Sequence, residues 1–204
     1  VVRRTKQAAE QTRTLILDTA EAIFSQRGVS RTTLTDIASA AGVTRGAIYW
    51  HFQNKADLFH AMIERVTTPM ELMVSQSSDA QLADPLGYIR TCALACLQHT
   101  ATDPQAQRVF EIMLHKCETV DEMAIVRDRH IQSRDMCLLQ IEQGFTHAVR
   151  KHLLPKRVNP RRAAVGLHAL IDGLISNWVL DPRYFALGKE CHKVIDTYLA
   201  GLKV

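Results

Sequence analysis

A chain of 204 residues with 47% hydrophobic content and a formal net charge of +4 has enough apolar material for a core, as one compact domain or as a small domain joined to a larger one. It holds no run of about 18 uncharged apolar residues, and the basic start VVRRTKQAAEQTR leads into no apolar stretch, so a cytoplasmic protein with no membrane partner is expected. Residues 1–55 carry eight Lys or Arg against four acids, leaving 17 of each sign for the remainder; the whole positive excess sits in the first quarter, where a polyanion would be met.

Glycine and proline are scarce (9 and 6), no Asn-Gly or Asp-Gly turn is present, and apolar residues recur every three to four positions, which predicts an all-α protein of about nine helices. The first helix, from about Gln7 to Arg27, has the stripe Ile16, Ala20, Ile23 and Phe24 and stops at Gly28. Thr33 with Asp36 three residues on is a capping-box pattern that opens a short second helix, ended by Gly42. Thr44 caps a third helix running to His51 or Phe52, and Asn54 with Asp57 caps a fourth that runs past Pro69 or kinks there. After the Ser-rich loop SQSSDAQLAD come four or five longer helices, two of them opened by Asp-Pro at 84–85 and 103–104. A further one spans roughly Asp121 to His152, LLPKRVNP is a loop, and two apolar helices close the chain.

The second and third helices meet the demands of a helix-turn-helix: a small residue at the crossing (Ala38), a glycine at the tight turn (Gly42), and a buried apolar residue in the second helix (Ile48). With Ile48 and Phe52 inward, the exposed arc of the third helix is Arg45, Gly46, Ala47, Tyr49 and Trp50, and it contains no acid. Two adjacent aromatics cannot both face one core. Arg45 suits guanine O6 and N7 in a major groove, Gly46 and Ala47 allow close approach, and Ala47 suits a thymine methyl. Thr33, Thr44, Tyr49, Trp50, His51 and Lys55 are candidates for phosphate contact, making double-stranded operator DNA the expected partner.

Residues 10 to 60 resemble the DNA-binding domain of TetR-family repressors, and GVTRGAIYWHFQNKADLF is similar to the AcrR/TtgR-like regulators of multidrug efflux within that family. VRRTK at the start, HKCE and IDGLI extend the likeness weakly over most of the chain. The resemblance implies a homodimer with a helix-turn-helix domain at 1–55, a ligand-binding and dimerisation domain at 56–204, and effector binding that moves the fourth helix and spreads the reading heads.

In the second domain, apolar stripes carry isolated polar groups: Cys96 on helix five, Phe110, Met113 and Leu114 on six, Cys137 and Ile141 on seven, and His168, Ile171, Asp172 and Ile175 on eight. Asp172 within HALIDGLISNWVL is an acid on a helix expected to be buried, where it needs a partner such as His168 or a ligand; the resemblance favours a pocket for small-molecule inducers. Phe110 and Leu114 stand where similar proteins place polar side chains, implying a drier pocket.

Five cysteines, Cys92, Cys96, Cys117, Cys137 and Cys191, form no regular framework and are expected as free thiols in a reducing compartment. Cys92, Cys96 and His99 share one helix face and read as core packing rather than as metal ligands, since no fourth ligand is evident; no metal or cofactor is expected. The stripe Ala163, Gly166, Leu167, Leu170, Leu174 and Trp178, with Leu187, Cys191, Ile195, Tyr198 and Leu202, is core or dimer interface.

No phosphate loop, nucleophile elbow, HExxH or paired catalytic carboxylates are present, so an enzyme is not expected. An architectural DNA binder would not need the second domain. The reading is a repressor of a multidrug efflux pump operon released by bulky apolar or aromatic molecules, with a repressor answering to a metabolite or metal and controlling a non-efflux operon as the alternative.

Overall fold

The structure, a computed structural model, describes residues 2–118 and 121–204, with side chains for 6–118 and 122–204. Arg3 and Arg4, half of the basic start, therefore lie outside the described side chains. Among the described residues there are nine α-helices and no strand: α1 Val2–Arg27, α2 Leu34–Ala41, α3 Arg45–His51, α4 Lys55–Ser75, α5 Pro85–Thr102, α6 Pro104–His115, α7 Ala124–Arg150, α8 Pro160–Leu180 and α9 Leu187–Gly201, with short 3-10 turns at Gln76–Ser78 and Asp121–Met123.

The chain forms two compact units, 1–65 with 108–129, and 66–107 with 130–204, so the division falls inside α4, α6 and α7. Helix α4 carries Pro69 in its interior, where the ring nitrogen has no hydrogen for the Arg65 carbonyl one turn back, yet the helix runs on to Ser75.

In the first unit, Ile16, Leu17, Ala20 and Phe24 of α1 are fully buried with Ile37 of α2, Ile48 of α3 and Leu58, Phe59 and Met62 of α4. Phe24 and Phe59 meet edge to face at 5.8 Å, the geometry in which one ring's positive rim faces the other's negative face. Ile23, expected in the α1 stripe, is only half-buried. A charged cluster ties three helices together. Glu21 of α1 is buried and accepts from Arg65 of α4 (2.9 Å) and Arg108 of α6 (2.7 Å), while Arg65 also reaches the exposed Asp18 at 2.6 Å.

In the second unit, α5 packs against α8 and α9. Arg90 of α5 holds Asp196 of α9 through two hydrogen bonds of 2.5 and 2.9 Å, and the Tyr198 hydroxyl donates to the Ala163 carbonyl at 2.7 Å. A side chain at Gly166 would overlap the Tyr198 hydroxyl, so that position needs glycine for the approach of α9 to α8. Of the closing-helix stripe, Ala163, Leu167, Trp178, Leu187, Cys191 and Ile195 are buried, and the exposed large apolar residues of the closing segment include Val165, Leu180, Tyr184 and Val204. Helix α8 is long and apolar enough to cross a membrane by length and composition, but six of its residues, including Trp178 and Val179, pack into this core.

Replacing Glu21 by Ala leaves Arg65, whose Nε is buried without a partner, further uncompensated. The expected loss is roughly 3 kcal/mol or more of unfolding free energy in a denaturant titration, against less than about 1 kcal/mol for Asp18→Ala at the exposed end of the cluster.

Candidate nucleic-acid interface

The α2–α3 pair is built by local chemistry at both ends and at the turn. Thr33 Oγ1 accepts from the Asp36 backbone N–H (3.1 Å) while Asp36 accepts from the Thr33 N–H (2.8 Å) and hydroxyl (2.6 Å), a reciprocal box that fixes the start of α2. These bonds hold the Asp36 carboxyl below its usual range, the side-chain bond from Thr33 being the larger cause. Gly42 closes α2 at φ +65°, and the Val43 N–H returns to the Ala38 carbonyl at 3.1 Å. Nothing would touch a side chain at Gly42, so it is the left-handed backbone and not crowding that requires glycine there. Thr44 then caps α3 by accepting from the Ala47 N–H at 3.1 Å.

The exposed arc is as expected. Tyr49 and Trp50 are 47% and 73% exposed, both outside the core, while Ile48 and Phe52 are buried. Arg45 lies with its guanidinium 5.4 Å from the centre of the Tyr49 ring and donates to the Tyr49 hydroxyl at 3.4 Å, so the arginine is laid along the helix surface by a neighbour one turn away. Gly46 is exposed and Ala47 half-buried, leaving the backbone of the first turn approachable.

Three of the expected phosphate contacts fare differently. The Thr33 hydroxyl gives its hydrogen to Asp36, and an acid stands beside it, whereas Thr44 uses only an acceptor lone pair and keeps its O–H to donate. His51 is half-buried, packs edge to face on Trp50 at 4.6 Å, and has its pKa lowered by burial and then by the nearby Arg13 charge; it is neutral at pH 7 and offers a hydrogen bond rather than a charge. Lys55 is a correction. It is buried, and its ammonium donates inward to the carbonyls of Val29 (3.2 Å) and Thr32 (3.1 Å) and pairs with Glu122 at 2.7 Å, so it does not reach solvent to meet a phosphate. A lysine at a helix start reads as surface from sequence because its acceptors lie far from it in the chain, the nearer loop carbonyl 23 residues away. Arg13, not singled out from sequence, stacks its guanidinium 5.4 Å from the Phe52 ring centre and neighbours His51.

The ten residues expected to line a ligand site divide between the units. Phe110 (buried), Met113 (half-buried) and Leu114 (39% exposed) belong to the first; Cys96, Cys137, Ile141, His168, Ile171, Asp172 and Ile175 belong to the second. Within the second unit the structure brings several together. Cys96 Sγ touches Met70 Sδ at 3.6 Å, and the two thiols are pushed up to about 12 at Cys96 and about 11 at Cys137, by burial first and then by neighbouring groups that include Asp172. These thiols are protonated at neutral pH and act as soft apolar surface, not as nucleophiles.

Asp172 is corrected in its burial: its side chain is 59% exposed, and it pairs with His168 Nδ1 at 3.1 Å one turn back. None of the ten lines the groove of about 320 Å³ beside the start of α8, whose walls include Arg157, Asn159, Arg162 and Tyr198. Among the described residues no group of three or more His, Cys, Asp and Glu side chains is placed to hold a metal ion.

Residues 16–62 match the profile of bacterial regulatory proteins of the tetR family, and residues 84–204 match that of the C-terminal region of MAATS-type transcriptional repressors. The chain is 41% identical over 208 residues to the HTH-type transcriptional regulator TtgR of Pseudomonas putida, covering all of this chain and 97% of that one. Among solved structures, NalD, the secondary repressor of the MexAB-OprM multidrug efflux pump in Pseudomonas aeruginosa, aligns with a TM-score of 0.87 at 37% identity over 97% of this chain and 98% of that one. A complex of triclosan with SmeT, a repressor from Stenotrophomonas maltophilia, aligns with a TM-score of 0.86 at 30% identity over 94% and 91%.

The geometry separates two variants. Arg45→Ala is expected to lose discrimination between the operator and a sequence changed at its guanines, while Lys55→Met leaves the slope of log affinity against log salt unchanged because no phosphate contact is removed. Anisotropy titrations at several salt concentrations measure both.

Proposed function

Because this chain belongs to the TetR family of bacterial transcriptional regulators, we propose that it is a homodimeric, cytoplasmic repressor of a multidrug efflux pump operon, released from its operator by bulky, mostly apolar or aromatic small molecules. The observation that carries the DNA role is the acid-free, exposed arc of α3, Arg45 to Trp50, on a turn fixed by Gly42 and two threonine caps. Contacts to DNA come from Thr44, Arg45, Gly46, Ala47, Tyr49 and Trp50, with His51 as a neutral donor. Residues 1–55 serve as the DNA-binding domain and 56–204 as the ligand-binding and dimerisation domain, with 108–129 grouped beside the DNA-binding helices in one compact unit.

The efflux assignment is supported by the likeness to NalD, and the binding of small molecules by the likeness to SmeT, which is solved in complex with triclosan. The soft, protonated thiols of Cys96 and Cys137 and the buried Ile141 and Ile175 suit such a ligand, and the Asp172–His168 pair supplies one polar anchor. Exposed Val165, Leu180 and Tyr184 around α8 are available to a second copy, in which role α8 is a core and interface helix rather than a membrane span.

The mechanism is a shift of population. The ligand binds better to a conformation whose two recognition helices no longer fit successive major grooves, and operator affinity falls by the same coupling factor; no catalytic step is involved. A fluorescence-anisotropy titration on the protein's own promoter DNA at fixed salt, with a panel of unrelated antimicrobials that includes triclosan, tests it. Several chemically distinct compounds are expected to release the DNA. Release by a single metabolite or a metal alone would remove the efflux assignment while leaving the DNA role in place.

A further inference from the structure

The loop between α1 and α2, residues 28–33, contributes no base contact in the reading above, yet it is held from an unexpected quarter. The Val29 N–H donates to the carbonyl of Lys116 at 3.0 Å, and the Lys116 ammonium donates to the carbonyl of Ser25 at 2.7 Å in the last turn of α1. From the other side, Lys55 at the start of α4 donates to the carbonyls of Val29 and Thr32 and completes its coordination with Glu122 at 2.7 Å. Residues 116 and 122 both belong to the stretch between α6 and α7, far along the chain from the loop they secure.

We propose that Lys116 and Glu122 clamp the reading head as positioning residues: they fix the loop that leads into the Thr33 cap, and through it the orientation in which α2 presents α3 to DNA. Lys116 is anchored one turn back to the Ile112 carbonyl of α6 (3.0 Å), the helix that carries Phe110, Met113 and Leu114, so a shift of its last turn pulls directly on Val29. This supplies a route to the head other than the length of α4. The inference rests on the reading that α3 contacts the operator.

Removing an acid from a DNA-binding protein lessens repulsion and tightens binding. Glu122→Ala, by contrast, leaves the Lys55 ammonium with only two carbonyls and loosens the loop, so it is expected to bind promoter DNA about fivefold more weakly or worse at fixed salt, with Glu122→Gln, which keeps an acceptor, in between. Glu118→Ala removes a nearby charge that touches neither lysine and serves as control; it is expected to bind as wild type or tighter.

Hydrogen exchange on the free protein gives a readout independent of DNA: the amides of Val29 and Thr32 are expected to exchange faster in Glu122→Ala, with the core amides of α1 and α4 unchanged. If Glu122→Ala binds as tightly as wild type or tighter, or if exchange at Val29 and Thr32 is unaltered, the clamp is refuted. If wild type itself fails to distinguish promoter from unrelated DNA, it is the operator reading that fails, and the exchange result still decides the clamp.

Discussion

An ammonium group taken out of water needs an acceptor for each of its three hydrogens, and at Lys55 those acceptors are two loop carbonyls and the carboxylate of Glu122. Much of the first unit follows from satisfying that group. The carbonyls belong to the loop joining α1 to α2, so burying Lys55 sets where the Thr33 cap begins α2. Gly42 then sets the turn, and the Thr44 cap sets the start of α3. The carboxylate comes from beyond α6, so the same requirement draws residues 108–129 into the unit that holds the DNA-binding helices.

The buried Glu21 with its two arginines makes the complementary statement from the opposite charge. An acid in α1 is neutralised by cations from α4 and α6, so three helices share one electrostatic site inside the unit. Paired buried charges of this kind add little net stability compared with apolar packing, but they tolerate few alternative arrangements.

Local chemistry makes the fold and the turn legible in the sequence. The capping box at Thr33, the caps at Thr44 and Asn54, the prolines at helix starts and the glycines at 28 and 42 each act within a few residues, and each appears where expected. What sequence does not disclose is the environment of long polar side chains. Lys55 reads as a solvent-facing cation because its acceptors, Val29, Thr32 and Glu122, lie far off in the chain. Asp172 reads as a buried acid because Leu170, Ile171 and Leu174 flank it, although the arc on which it sits is exposed in the folded chain and its partner is the His168 one turn away. Leu114 similarly follows the apolar period yet is partly exposed. Periodicity predicts which face is apolar; it does not give the breadth of that face or what lies opposite it.

The arc from Arg45 to Trp50 is proposed to read base edges in the major groove. Dimethyl sulfate methylates guanine at N7 in the major groove and adenine at N3 in the minor groove, so methylation interference on the promoter fragment discriminates the two modes directly. N7 methylation at guanines in two half-sites is expected to block binding, and adenine N3 methylation between them is not. Interference confined to adenine N3, or none at any guanine, would contradict it.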